Sequence, residues 1–364
     1  MDKKQVNAFT ISDNRLNIAI DVNNHTKSTD SRYRIIAEVW ARNLSKNGSM
    51  KPVSWISTMS TTTNGQLNIE LDARWIAMAQ VDGDFELRNL RIEDADYFIP
   101  LITRSSINLK VASLPETANK AYNGAITEEM MMGKRPPQAN MNKYGYPGLM
   151  LVHGYCSSDV WGPVWGQFAA SAIFTDFNQN RSHDQFAYLI GLAGTFFSSY
   201  GIVAHSQGGA ASLHLYTYYF TGLDYAYGAR LIQTVGTPYQ GTPLAGTLAA
   251  IGNIFGIGCG TNASLTPSGS AAWLAGVPTW ARSQIYYHTT SFNDAPFVFD
   301  FCSIGTDLFL SDPDDGVVEK FRAQLSGGNN LGHKTGWCHS SSMRDPAQTT
   351  DSSRNAVMNI YAKR

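Results

Sequence analysis

Charge is scarce in this chain. Only 16% of its 364 residues are Asp, Glu, Lys or Arg, below the ~25% of an ordinary soluble domain. Neither sign dominates: 28 basic against 29 acidic side chains leave a net charge of −1. That balance excludes nucleic-acid binding, or capture by an anionic membrane, driven by charge alone. Long apolar runs are missing as well. The least polar stretch, 244–260, is broken by Thr247, Asn253 and five glycines, so it fails as a membrane-spanning helix. The opening Met1-Asp2-Lys3-Lys4 lacks the apolar core of a leader; either the protein stays inside the cell or its leader has been removed, and a secreted protein is the expectation. Cysteines number four, Cys156, Cys259, Cys302 and Cys338, with no two at C-x₂₋₄-C spacing. This argues against a structural zinc site and leaves three disulfide pairings or none.

What remains is ample for a core. A 43% hydrophobic, 12% aromatic composition excludes wholesale disorder, and the length has a prior of about two domains. The charges are also unevenly placed. Residues 1–111 hold 27 of the 57, leaving 30 for the other 253. Two regions of different chemistry are implied.

Residues 1–111 read as a small, sandwich-like all-β domain. Strand-like runs at 31–40, 53–60, 66–71 and 84–92 are separated by turn signals such as Asn64-Gly65 and Asp82-Gly83-Asp84. Along 85–92 apolar and polar side chains largely alternate, as a strand with one wet face requires. A short helix is expected over 72–80. No catalytic constellation is visible there, and support, spacing or binding is the expected role. Over 112–147 the periodicity fades among Pro115, Pro136, Pro137 and Pro147, which marks a connector.

From 148 to 364 strands and helices alternate. Gly148-Leu149-Met150-Leu151-Val152 is an uninterrupted apolar run, fit for a strand buried on both faces. Further strands are expected at 172–177, 200–204, 230–235 and 284–288, with helices over 183–197, capped by Ser182, and 207–221. That order predicts a doubly wound, mostly parallel α/β sheet.

The most informative segment is Ala204-His205-Ser206-Gln207-Gly208-Gly209, between an expected strand and an expected helix. A serine hydroxyl must project from the backbone and lose its proton to a base before it attacks a carbonyl. A sharp strand-to-helix corner projects it, and small neighbours two residues before and after prevent a clash. A helix-capping serine is the plainer reading of this position. Two further signals favour the nucleophile. His153-Gly154-Tyr155 ends an earlier strand, so the backbone N–H groups of Tyr155 and Gln207 can form an oxyanion hole. An acid and then a histidine follow in the required order: Asp312, Asp314 and Asp315, then His333 and His339. An acidic turn of this kind is more often a solvated or calcium-binding loop, and the catalytic reading depends on Ser206. The segment from Asp176 to Asp184 mimics a calcium loop but lacks its central Gly and terminal Glu, so a solvated turn is expected.

Residues 148–345 resemble the bacterial true lipases of the α/β-hydrolase superfamily. The resemblance rests on His153-Gly154-Tyr155, on the Ser206 segment, and on Val235-Gly236-Thr237-Pro238-Tyr239-Gln240-Gly241-Thr242. It implies a lipase or esterase working through an acyl-enzyme on apolar esters such as acylglycerols. It assigns Ser206, Asp315 and His339 to the triad, preferring His339 to His333 and Asp315 to Asp312. Where that family's calcium site has an Asp, this chain has Ser341, so that site is not expected; Asp307, Asp312 and Asp314 leave a different one open, and the expectation is neither metal nor cofactor. A Cys156–Cys338 disulfide, with Cys259–Cys302, follows from bringing the two loops to one sheet edge.

Between Leu231 and Ala281 there is no charged residue in 51 positions, where about eight would be usual at this composition. An apolar cap around 240–281, over the active-site edge, is one reading; ordinary core is the other. The partners expected are small or polymeric ester substrates and a lipid interface, with oligomeric state open. Polyester depolymerase, thioesterase and acyltransferase stand as chemical alternatives, and a non-catalytic binding protein as the alternative from another class.

Overall fold

A computed structural model describes residues 5–22, 32–43, 48–94, 100–124, 127, 130, 145–157, 159–178, 180–219, 221–245, 260–293, 309–341 and 343–364. The chain divides into two compact units. The first is Met1–Ala139 with Ala271–Pro278, the second Asn140–Ser270 with Thr279–Arg364.

In the first unit seven strands form one sheet in the order β4-β3-β6-β7-β1-β2-β5. They are β1 (Gln5–Ser12), β2 (Arg15–Asp21), β3 (Arg32–Arg42), β4 (Met50–Thr61), β5 (Gln66–Asp72), β6 (Gly83–Asp94) and β7 (Pro100–Val111). The two ends of that order, β4 and β5, are joined by the turn Asn64-Gly65, with φ of 51° and 72°. So short a connection cannot reach across seven strands about 4.8 Å apart unless the sheet rolls round on itself. The roll encloses Leu16, Ile18, Ile20, Ile35, Ile56, Leu67 and Ile69. Asp72 ends β5 and caps helix α1 (Ala73–Ala79), accepting from the Arg74 N–H. Trp75 and Ile76 of α1 join the same core. Strands β1, β2 and β7 lie outside the runs read from the sequence, although β2 places Leu16, Ile18 and Ile20 at alternate positions, all of them buried. Ala275, within the expected cap, also packs against this core.

The second unit holds a six-stranded sheet ordered β13-β12-β11-β10-β8-β9, every neighbouring pair parallel. The strands are β8 (Gly148–Val152), β9 (Ser171–Phe174), β10 (Tyr200–His205), β11 (Ile232–Val235), β12 (Ile285–Ser291) and β13 (Asn329–Thr335). Central β8, β10 and β11 are buried at every position, which is why their sequences are runs rather than alternations. The main helices are α2 (His183–Gly194), α3 (Gln207–Tyr218), α4 (Pro267–Ala275), whose residues from Ala271 on belong to the first unit, the single turn α5 (Thr279–Arg282) and α6 (Ser352–Tyr361). Ser182 starts α2 through a reciprocal capping box with Gln185.

One expectation fails. Cys338 is a buried thiol outside any disulfide, packed beside Phe292 and Met343, so the Cys156–Cys338 disulfide is overturned. In that apolar cluster the thiol acts as a small hydrophobe. Cys156 is disulfide-bonded. Cys259, Cys302, Asp307 and most of the expected cap, 246–259, lie outside the described residues.

Candidate active site

Strand β10 ends at His205 and helix α3 begins at Gln207, so Ser206 is the corner between them. Its backbone sits at φ 54°, ψ −134°, a conformation that costs a non-glycine residue on the order of 1–3 kcal/mol. Its side chain makes no capping hydrogen bond, so helix capping does not explain the serine. The corner is held by the Ser206 N–H, which donates to the Val235 carbonyl over 3.1 Å.

Close packing explains the glycines around it. A Cβ on Gly208 would lie 2.2 Å from the His153 carbonyl oxygen, and one on Gly209 would lie 2.1 Å from Thr237 Oγ1. A Cβ on Gly154 would come within 2.4 Å of Ser206 Cβ and 2.9 Å of its Oγ. The Gly154 loop is therefore against the serine. His153 itself faces away. Its Nε2 accepts from the Asp176 N–H at 2.9 Å and its Nδ1 donates to the Gly154 carbonyl at 2.8 Å. Burial lowers its pKa, so it is a neutral spacer beneath the loop. Tyr155 follows, its hydroxyl donating to the Gly260 carbonyl. Gln207, as the first residue of α3, has a backbone N–H without an intrahelical acceptor. Its side chain is engaged elsewhere, with Nε2 donating to the Arg181 carbonyl at 2.7 Å.

Asp315 and His339 meet. His339 Nδ1 is 2.8 Å from Asp315 Oδ2, and the His339 N–H donates to the Asp315 carbonyl at 2.8 Å. The other carboxylate oxygen, Oδ1, accepts from the N–H groups of Val317 and Val318 at 3.1 and 2.8 Å. Both side chains are buried, and the carboxylate oxygens are met by hydrogen-bond donors, as burial of such a group requires. The His339 ring centroid lies 4.6 Å from that of His205, the residue before the serine. No hydrogen bond joins Ser206 Oγ to His339 in this structure; such contacts are often long in ligand-free sites.

The sequence alternatives are placed elsewhere. His333 lies on edge strand β13, bound to Thr289 and Ser291 at 2.9 and 3.2 Å, and burial lowers its pKa. Asp312 is exposed. Asp314 turns inward to accept from the Gly316 N–H at 2.6 Å. Asp176 is occupied by Arg181, 2.7 Å away, and by the Asn178 N–H. Among the described residues no group of three or more His, Cys, Asp or Glu is disposed to hold a metal ion.

Sequence reading missed two members of the site, His205 and Gln348. Gln348 is wholly buried, and its Nε2 lies 3.1 Å from Asp315 Oδ2, 3.1 Å from His339 Nδ1 and 3.2 Å from His205 Nε2. Nothing in the local sequence marks it, since it opens a single 3₁₀ turn, Gln348–Thr350, and meets its partners only through tertiary packing.

A wholly parallel sheet flanked by helices, with a strained serine at a strand-to-helix corner and a buried carboxylate–imidazole pair, is an α/β fold. Within it the chain belongs to the conditioned medium factor C-terminal domain family, which matches residues 145–362. The conditioned medium factor 3rd Ig-like domain matches residues 34–134. A relative, conditioned medium factor of Dictyostelium discoideum, is 37% identical over 374 residues, covering 97% of this chain and 53% of the relative. The chain thus spans about half the length of the curated relative it matches. Among solved structures, phospholipase PlaB from Legionella pneumophila in complex with thio-NAD has a TM-score of 0.37 at 14% identity, covering 49% of this chain and 44% of its own. The metagenomic carboxyl esterase MGS0156 has a TM-score of 0.38 at 15% identity, covering 70% and 78%. Likenesses this distant leave the reading of the site to its own geometry.

Proposed function

We propose that the chain is a serine carboxylic-ester hydrolase acting on apolar esters through an acyl-enzyme. Ser206 is the nucleophile, His339 the general base and then the general acid, and Asp315 the group that orients the imidazole. Asp315 accepts from Nδ1, which leaves Nε2 as the basic nitrogen. The Tyr155 and Gln207 N–H groups receive the oxyanion, and water then releases the acid. The observation that carries this reading is the 2.8 Å contact of His339 with a buried Asp315, beside a serine at φ 54° that caps nothing. Lipid esters, polyesters and thioesters all fit the chemistry. The low charge and the cystine at Cys156 support a secreted location, where disulfides persist.

The test is labelling with a fluorophosphonate probe, followed by a panel of p-nitrophenyl esters from acetate to palmitate. One label per chain, lost in Ser206→Ala, is the expected result. Absence of both labelling and turnover in folded protein would leave a non-catalytic binding protein on a hydrolase fold.

A further inference from the structure

We propose that Gln348 is a positioning residue for the Asp315–His339 pair, holding the carboxylate in the orientation the imidazole needs. The inference rests on the hydrolase reading of that pair.

The geometry fixes which way the amide points. Gln348 Oε1 accepts from the Thr290 hydroxyl at 2.5 Å, so Nε2 faces the site with two hydrogens to donate. His339 Nδ1 needs its own proton for Asp315, so it cannot accept one from Gln348. The two amide hydrogens therefore go to Asp315 Oδ2 and His205 Nε2. A flipped amide would set Oε1 against the carboxylate, acceptor to acceptor. His205 can accept because burial and the adjacent His339 hold its pKa well below the ordinary value, keeping the ring neutral.

Asp315 consequently receives four hydrogen bonds: Val317 and Val318 N–H on Oδ1, His339 and Gln348 on Oδ2. Such a carboxylate cannot rotate away from the imidazole without leaving a buried donor unsatisfied. The backbone sets the amide in place as well. The Gln348 N–H donates 2.8 Å to the carbonyl of Cys338, and the Cys338 N–H donates 2.9 Å to that of Pro346, so Gln348 is tied to the residue preceding His339. Gly236 makes room: a Cβ there would lie 2.1 Å from Gln348 Nε2. This gives the glycine of the Gly236-Thr237-Pro238 segment a role the sequence did not disclose. The titratable groups facing the amide are Asp315, His339 and His205; Arg354 of α6 acts on His205 through its charge.

The test is the pH profile of kcat/KM for ester hydrolysis in the full chain, for wild type, Gln348→Met and Gln348→Glu. Losing the amide donor strengthens the pull of Asp315 on the imidazolium, and adding a carboxylate strengthens it further. The acid limb should move to higher pH in the order wild type, Met, Glu. In Gln348→Met, kcat should fall about tenfold with KM nearly unchanged, the order of effect of losing a supporting partner. Thr290→Val, which keeps the side chain's shape but frees the amide oxygen, should shift the limb in the same direction by less. It carries the test if Gln348→Met does not fold. A wild type that labels and turns over, with folded variants that keep its acid limb, overturns this inference alone. A folded wild type that neither labels nor hydrolyses esters overturns the hydrolase reading beneath it.

Discussion

The two units bury different things. The rolled sheet of the first encloses an almost wholly apolar cluster, and its buried charges are countered at once, as where Arg34 meets Glu93 at 3.0 Å. The second buries His153, His183, His205, His214 and His339 with Asp184, Asp315 and Gln348. Burial holds the pKa of His183 at about 3, and that of His205 well below the ordinary value. Enclosing so many polar groups costs stability unless each is matched. Perturbed titratable groups gather where chemistry is done. The comparison assigns packing to one unit and chemistry to the other.

The comparison breaks most sharply at the serine. Ser206→Ala should lower ester hydrolysis at least a thousandfold while the thermal midpoint stays near that of wild type; calorimetry beside a p-nitrophenyl ester assay checks both. Asp315→Asn should lose about a thousandfold or more in kcat, because the imidazole then takes the wrong tautomer. His333→Ala, measured in the same assay, should change it little. Gly154→Ala should cost about a hundredfold, since the new methyl would displace the Ser206 side chain. Retained labelling at the wild-type rate would show that the loop moves freely.

In the apolar unit the expected response is the reverse. Leu67→Ala, at a fully buried position, should destabilise by about 2–5 kcal/mol in urea unfolding, with labelling of the remaining folded protein unchanged. The smallest effect concerns Asp351, the N-cap of α6. Its carboxyl is held down to about 2, against the opposing effect of burial, by Lys334, Ser353 and the Arg354 N–H. A folded-state pKa below the ordinary 3.8 gives stability that is present above about pH 4 and lost as pH falls toward 2. Asp351→Asn should flatten the acid side of the stability curve over that window.

Much of the second unit was legible because its signals are local. The apolar run at β8, the small residues flanking Ser206 and the capping box at Ser182 each act within a few positions. Strand β13, Asn329–Thr335, was not legible. It is a polar edge strand with exposed positions along its length, and such a strand needs no apolar period. Helix α4 and segment 271–278 read as cap by their lack of charge, yet Ala275 packs on the β-unit core. Low charge announces burial but not the surface that does the burying.

The order of chemistry along the chain was written in the sequence by itself: a serine between small residues at a strand end, then acids, then histidines. Spacing alone left Asp312 against Asp315 and His333 against His339 unresolved. In the tertiary structure Asp315 is buried against His339, while Asp312 is exposed and His333 lies between two hydroxyls. Tertiary structure also recruited Gln348 and kept Cys338 out of a disulfide. Hydrogen bonds and packing act over a few ångströms of space, and residues more than a hundred positions apart share that space only after the sheet has formed.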